Sequence, residues 1–280
     1  MPSIGGVRLI MKMEWPLRGR LQQGTVFSGC LVAGYDGRPG WGLVVTARCD
    51  LANDKVPLLN YLPVVRFSDW LELDGRASLI SRASSEEEAS LSQLLTDLGA
   101  TESVLRSAEL AVVLRELLGE VRPGAKLAQR CERAISRNAE FAKPEGPSIE
   151  WLCEQYPKLY AGIVRELMTQ RLAGYYFLPA VEPNEAPSCY VVLLRHIGSM
   201  PFEVACRIPA GISIDDVRAG FSAAVRYLCL DGEDDYVMPL GVIPSPNIEH
   251  LMQVFSSLLS RIGLPNVDSQ HIEKYAMGGR

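Results

Sequence analysis

Residues 24–69 read GTVFSGCLVAGYDGRPGWGLVVTARCDLANDKVPLLNYLPVVRFSD. Two runs of apolar and β-branched residues, 25–33 and 43–47, flank a turn rich in glycine and proline, and residues 62–67 make a third run. Runs of this kind bounded by such turns are typical of strands. Short strands joined by tight loops within about 45 residues indicate a small curled sheet or barrel rather than a βαβ unit.

The densest group of chemically capable side chains lies in the same stretch, where the second strand ends and a polar loop begins. Binding and catalytic groups are often carried by loops on a rigid scaffold, so a site is expected at such a position. The group falls within ten positions and comprises Thr46, Arg48, Cys49, Asp50, Asn53 and Lys55.

Beyond residue 80 the spacing of apolar residues changes from two to 3.6, which predicts helices. Ser84 with Glu87, or Ser85 with Glu88, makes a capping box and predicts that a helix starts there. Further helix signals are a cap at Thr101, the stretch 126–141, a cap at Ser148 and a break at Pro157.

From residue 175 the pattern returns to strands. Proline, asparagine, glycine and serine turns separate the runs, which predicts antiparallel pairing. The predicted strands cover 175–181, 189–197, 202–208, 227–230 and 236–240, with Asp231-Gly232 as the turn between the last two. A final helix is predicted from the Ser245 cap to a stop at Gly263.

The net charge of −5 and the isoelectric point of about 5.4 exclude the broad positive field that non-specific nucleic-acid binding needs. A local basic patch could still bind RNA. Its members would be Arg18, Arg20, Arg38 and Arg48.

The chain has no apolar run near the roughly 20 residues needed to span a bilayer, and no cleavable apolar leader follows its first residue. We therefore expect a cytoplasmic protein without membrane contact. Its seven cysteines are widely spaced and odd in number, which argues against a disulfide framework and for reduced thiols.

Cys49 beside Asp50 is a candidate nucleophile. A catalytic cysteine needs a stabilised thiolate, which the cations of Arg48 and Lys55 favour and Asp50 opposes. No histidine is placed by the sequence to act as its base. The alternative is that Cys49 is a small packing residue while Asp50 and Asn53 bond the loop backbone.

Metal and cofactor motifs are absent from the sequence. It contains no C-x-x-C or H-x-x-x-H pair, no phosphate-binding glycine loop and no G-x-S-x-G. We expect neither a metal site nor a cofactor.

Residues 20–70 resemble the SH3-like barrel of PemK/Kid/MazF-type toxins, which cut single-stranded RNA. The likeness rests on the strand ending in Val-Val-Thr and on Arg38-Pro39, which matches the arginine–proline opening of that family, with Thr46 as its strand-ending threonine. Gly40-Trp41-Gly42 intervenes between this pair and the strand, and Val65-Arg66 replaces the hydroxyl residue expected after Pro-Val.

For RNA cleavage, Arg38 or Arg48 would stabilise the developing phosphorane charge and Thr46 or Asp50 would orient the 2′-hydroxyl. Bases would stack on Tyr35 and Trp41, the aromatic residues of the adjacent turn. In the alternative interpretation these aromatics are packing residues, Arg38 belongs to the turn and Thr46 to the sheet.

A second resemblance covers most of the chain. The segments VVTARCDLANDK, YFLP at 176–179 and SPNIEHLMQVFS with SRIGLP near the end resemble a family of uncharacterised bacterial proteins with a Cys-Asp-Leu motif. The resemblance implies an accessory protein encoded near mobile-element or phage-defence genes, with no chemistry to transfer.

Together these observations predict an α+β fold. It would consist of an N-terminal SH3-like β-barrel (1–80), a helical middle (81–172), and a C-terminal antiparallel sheet with a closing helix (173–280). The predicted function is a non-enzymatic binding or scaffold component of a bacterial multi-protein system such as phage defence, with a protein partner. The alternative is a PemK/MazF-like endoribonuclease or RNA-binding module. The predicted binding residues are Tyr35, Trp41, Cys49, Asn53 and Lys55.

Overall fold

The computed structural model describes residues 11–53, 56–106, 108–121, 124–186, 188–230 and 235–259. Contacts divide the chain into two units. The first unit takes the residues up to 65 and those from 173 onward, and the second takes residues 66–172. The first carries the sheet and the second is helical, so the fold class is α+β as predicted.

The strands of the described residues are short, apart from the third. They are β1 Thr25–Ser28, β2 Trp41–Val44, β3 Leu58–Arg66, β4 Tyr175–Leu178, β5 Tyr190–Leu193, β6 Gly198–Pro201, β7 Ile212–Ser213, β8 Tyr236–Val237 and β9 Pro239–Val242.

The N-terminal and C-terminal strands form one curled antiparallel sheet. Its order is β4-β5-β3-β2-β1-β9, and β6 also pairs with β3. The three consecutive strands β1, β2 and β3 lie at its centre, as the first stretch of sequence predicted, and together they make a half-barrel. β7 and β8 form a separate two-stranded ladder.

Apolar alternation explains the register at the centre of the sheet. Val26 lies opposite Leu43, which lies opposite Leu62, and all three side chains are fully buried. On the other face Phe27 lies opposite Gly42, where a Cβ atom would come within 2.1 Å of the phenylalanine ring. Position 42 therefore requires glycine, because the ring fills the space that a side chain would need.

The helices of the described residues are mostly in the second unit. They are α1 Arg48–Ala52, α2 Phe67–Trp70, α3 Arg76–Asp97, α4 Leu110–Val121, α5 Ala125–Phe141, α6 Ile149–Gln155, α7 Pro157–Met168, α8 Phe202–Ala205, α9 Ile214–Arg218 and α10 Asn247–Leu259. Within the described ranges, none combines the length and apolar character that a bilayer span demands.

Each unit has its own apolar core. In the first, the buried face of the sheet packs with Ile248, Leu251 and Phe255 of α10. In the second, Leu94 and Leu95 of α3 pack with residues of α4 and α5. Burial of these stripes, rather than intrinsic propensity, accounts for most of the stability of such helices.

The predicted helix start at Ser84 or Ser85 is wrong. The chain is already helical from Phe67, through α2, a π-helical turn at Leu71–Gly75, and α3. Ser85 lies inside α3, and its hydroxyl donates to the carbonyl of Ser81. A serine–glutamate pattern satisfies free amides only at a helix end, and here the preceding residues supply the helical partners instead.

The helix predicted from a cap at Thr101 is wrong in its start, since a 3-10 turn covers Glu102–Arg106 and α4 begins only at Leu110. The signals at 126–141, Ser148 and Pro157 are confirmed. The Ser148 hydroxyl accepts from the backbone amide of Trp151 and caps α6, and Pro157 separates α6 from α7 as the first residue of the latter. The strand predicted at 202–208 is instead α8 and a 3-10 turn at Ile208–Ala210. Val204 and Ile208, four positions apart, are both fully buried, which is helical spacing.

Candidate functional site

The predicted polar loop begins with a short helix. Cys49, on α1, is exposed, and its Sγ atom lies 3.5 Å from Oδ1 of Asp50. The side-chain amide of Asn53 donates to the carbonyl oxygen of Cys49 at 2.6 Å and closes the helix at its C-terminal end. Asn53 thus bonds the local backbone, as one of the two interpretations of the loop predicted. Lys55 lies outside the described residues.

Thr46 belongs to the sheet. Its side chain is buried, and its hydroxyl accepts from the backbone N–H of Asn60 at 2.7 Å and lies 3.3 Å from the carbonyl oxygen of the same residue. These bonds join the end of β2 to β3. The hydroxyl is therefore occupied by backbone groups rather than exposed at a cleft.

The two aromatic residues of the turn are buried. Tyr35 is 4% exposed and Trp41 is 9% exposed. The Trp41 ring packs edge-on against Tyr190, with 5.0 Å between centroids, and forms part of the core under the sheet. A base could stack on these rings only if this part of the fold opened. Arg38, in the same turn, is half-buried, and its backbone N–H donates to the carbonyl of Tyr35.

Arg48 points to the final helix of the first unit. Its guanidinium lies 3.1 Å from the carboxylate of Glu249 in the first turn of α10, and both side chains are about half exposed. The pKa of Glu249 is lowered by a hydrogen bond from its own backbone amide, with further contributions from Ser245 and Arg48. An exposed pair of this kind contributes little to stability.

The predicted catalytic residues are therefore engaged in different tasks. Thr46 is bonded to Asn60, Arg48 to Glu249, and Asp50 to the neighbouring thiol. Nothing in these contacts assembles a base, a nucleophile and a phosphate-stabilising cation around one opening.

An open cleft does lie beside α1, and we call it the α1 cleft. Its volume is about 540 Å³, within the range of about 300–1,000 Å³ typical of ligand pockets. Three separate stretches of the first unit line it. The lining residues are Gly19, Arg20, Leu21, Leu51, Ala52, Phe202, Ala205, Cys206 and Pro209.

Among the described residues, the α1 cleft combines apolar walls with one cation. Leu21, Leu51 and Phe202 supply apolar surface, while Arg20 is exposed and lacks an ionic partner among the described residues. The sequence indicated Arg20 as a member of a basic patch, and Leu51 only as the leucine of the Cys-Asp-Leu motif. Sequence reasoning missed the wall at 202–209, because that segment was predicted as a strand; the i, i+4 spacing of Val204 and Ile208 was the available signal.

All seven cysteines are free, and Cys49 and Cys206 are exposed. Burial raises the pKa of Cys30 to about 12, which keeps that thiol protonated and unreactive. In the part of the chain that the structure describes, no three His, Cys, Asp or Glu side chains are grouped to hold a metal ion.

Comparisons with protein-family models, with curated proteins and with solved structures found no match to this chain.

Proposed function

We propose that this chain is a non-enzymatic binding component of a bacterial multi-protein system, and that the α1 cleft receives a segment of its protein partner. The observation that supports it best is the pairing of an open apolar cleft with an exposed cation, Arg20, the one cationic side chain among the described residues that line it. Such a cleft suits an apolar side chain next to a carboxylate. The link to phage defence rests on the resemblance of the Cys-Asp-Leu segments.

The engagement of the neighbouring polar residues supports a binding role over a catalytic one. Thr46 and Asn53 bond backbone groups, and the bond of Asn53 closes α1, whose Leu51 and Ala52 line the cleft. A preformed wall lowers the entropy that a partner must lose on docking. The free thiols Cys49 and Cys206 support a reducing compartment, and we propose the cytoplasm.

We also keep the SH3-like barrel as a proposal. Three consecutive antiparallel strands, and a nine-residue β3 that pairs with both β2 and β6, support it, since one long shared strand lets a small sheet curl upon itself. The C-terminal strands β4, β5 and β9 complete the same sheet.

The test is direct binding of the purified chain to purified products of its neighbouring genes, with single-stranded RNA as the other arm. We expect one protein to bind, and Arg20→Glu to weaken that binding about tenfold, because the cation becomes a repelling anion. Arg18→Glu is the matched control, since Arg18 is exposed but does not line the cleft. Ala52→Glu, which places a charge in the cleft, should also weaken binding, whereas Ala33→Glu, at an exposed position outside it, should not.

Binding that is equally insensitive to Arg20→Glu and Ala52→Glu would remove the α1 cleft from the function. Tight binding or cutting of RNA, lost on changing Arg38 and Arg48 together, would replace the proposal with the ribonuclease alternative.

A further inference from the structure

The second unit has a surface groove between its two longest helices, which we call the α3–α5 groove. Its volume is about 440 Å³, and a smaller hollow of about 170 Å³ shares Glu87, Leu91 and Ala134 with it. Leu91 and Leu94 of α3 with Ala134 of α5 give the groove an apolar floor. Small and apolar side chains on two packed helices leave room for a third helix.

The walls of the groove carry opposite charges. Glu86 and Glu87 lie on the α3 side, whereas Arg130, Arg133 and Arg137 lie on the α5 side. The arginines are spaced by three and four positions, so they follow one face of the helix. A groove with one acidic and one basic wall selects an occupant with charges of both signs.

Some of these charges hold the walls in place. The carboxylate of Glu87 accepts from Arg137 at 2.6 Å and from the hydroxyl of Tyr156 at 2.9 Å, and the guanidinium lies over the Tyr156 ring. At the other end Arg130 donates to Asp97 at 2.6 Å. Glu87, Arg137 and Arg130 therefore each have a charged partner within the unit.

Two charges remain for a ligand. Glu86 and Arg133 are both exposed, and neither has an ionic partner among the residues that the structure describes. They belong to opposite walls, so the groove as described presents an exposed anion on one side of its apolar floor and an exposed cation on the other.

We propose that the α3–α5 groove binds an amphipathic helix of a partner protein, whose apolar stripe carries basic residues on one flank and acidic residues on the other. The apolar stripe would cover Leu91 and Ala134, the basic flank would face Glu86, and the acidic flank would face Arg133. This is the helix-in-groove mode of recognition. The inference is independent of the α1 cleft, which belongs to the other unit.

The test uses the full chain and three synthetic helical peptides with the same leucine stripe. One has a lysine flank and a glutamate flank, one has lysine on both flanks, and one has glutamate on both. We expect the mixed peptide to bind at least about fivefold more tightly than either of the others, as measured by fluorescence polarisation at low salt. Each of the other two peptides places a flank of like charge against one wall of the groove, which weakens its binding.

Charge exchange in the protein sharpens the test. Arg133→Glu should weaken the mixed peptide about fivefold, and so should Glu86→Arg. The double exchange should restore binding, because the peptide can lie in the reverse direction with its flanks exchanged. The matched control is Arg115→Glu, which reverses an exposed arginine of α4 outside the groove and should change nothing.

Failure to distinguish the three peptides, or an equal effect of Arg133→Glu and Arg115→Glu, would overturn the proposal. Self-association of the chain that Arg133→Glu abolishes would identify a second copy, rather than a partner helix, as the occupant. Because Arg20→Glu leaves this surface intact, it should not affect peptide binding, and the two proposals fail separately.

Discussion

The segment 46–53 and the α3–α5 groove are both rich in polar side chains, but their polar groups have different partners. In the segment, the Thr46 hydroxyl and the Asn53 amide bond backbone groups. In the groove, Glu87 and Arg137 bond each other, and exposed charges remain beside them. The number of polar residues in a stretch therefore does not identify a binding surface, because groups that bond the local backbone are already used by the fold.

The strongest test of this comparison is Trp41→Ala. If Trp41 is a core residue, its loss should lower the free energy of unfolding by about 3–5 kcal/mol, as is usual for a large buried aromatic side chain. Urea unfolding measures the change. The matched control is Trp15→Ala, which removes a tryptophan that is 69% exposed and should shift stability by less than about 0.5 kcal/mol.

A stability change of similar size in the two variants would contradict the burial of Trp41. In that case the Trp41 ring would be accessible, and it would again be a candidate for stacking on an RNA base.

Thr46→Val tests whether the Thr46 hydroxyl is structural or catalytic, and its expected effect on stability is smaller than that of Trp41→Ala. Valine keeps the shape but leaves the N–H of Asn60 without its acceptor, so we expect a loss of about 1–2 kcal/mol in urea unfolding. Thr46→Ser retains the oxygen and should lose less. A Thr46→Val protein as stable as the wild type would show that this bond does not hold β2 to β3.

The centre of the sheet could be predicted because each of its signals is local. Apolar runs and glycine turns identify β1, β2 and β3, and neighbouring strands in sequence also pair in space. The pairing of the C-terminal strands with these three could not be predicted. The alternation of apolar and polar residues along β4 or β9 indicates which face of the strand is buried, but it does not indicate which strand it pairs with.

The site was harder to predict than the fold. The α1 cleft depends on residues from three distant stretches, and the wall at Phe202 has no motif. The capping box at Ser84 had the expected residue types, yet the structure continues the helix through it, because packing of Trp70, Leu79 and Ala83 outweighs a local preference. Such tertiary effects are not visible in a short window of sequence.

Tyr156→Phe tests the other region of the comparison, the α3–α5 groove, where Tyr156 bonds Glu87. Loss of the bond to Glu87 should cost about 1 kcal/mol at neutral pH. Burial and then Glu87 raise the pKa of Tyr156 above the value of about 10 that it has when unfolded. The protonated hydroxyl therefore contributes stability that is fully present below about pH 10 and is lost as the pH rises further.

The pH dependence distinguishes this role from simple packing. Between about pH 9 and pH 11, the free energy of unfolding should fall less steeply in Tyr156→Phe than in the wild type, since the variant lacks this titration. The other tyrosines titrate alike in both proteins and cancel in the comparison. Equal slopes would mean that Tyr156 is not held protonated in the folded chain.

The smallest effect is expected at Arg48. Its pair with Glu249 lies at the surface, where solvent and salt screen the attraction and two flexible side chains must be held in place. Thermal melts of Arg48→Ala and of the wild type should coincide within error at both low and high salt. A clear loss of stability at low salt would make this ion pair a structural tie between α1 and α10. In that case Arg48, like Thr46 and Asn53, would be a residue that stabilises the fold. Arg20 would then be the cation beside α1 that is available to a ligand.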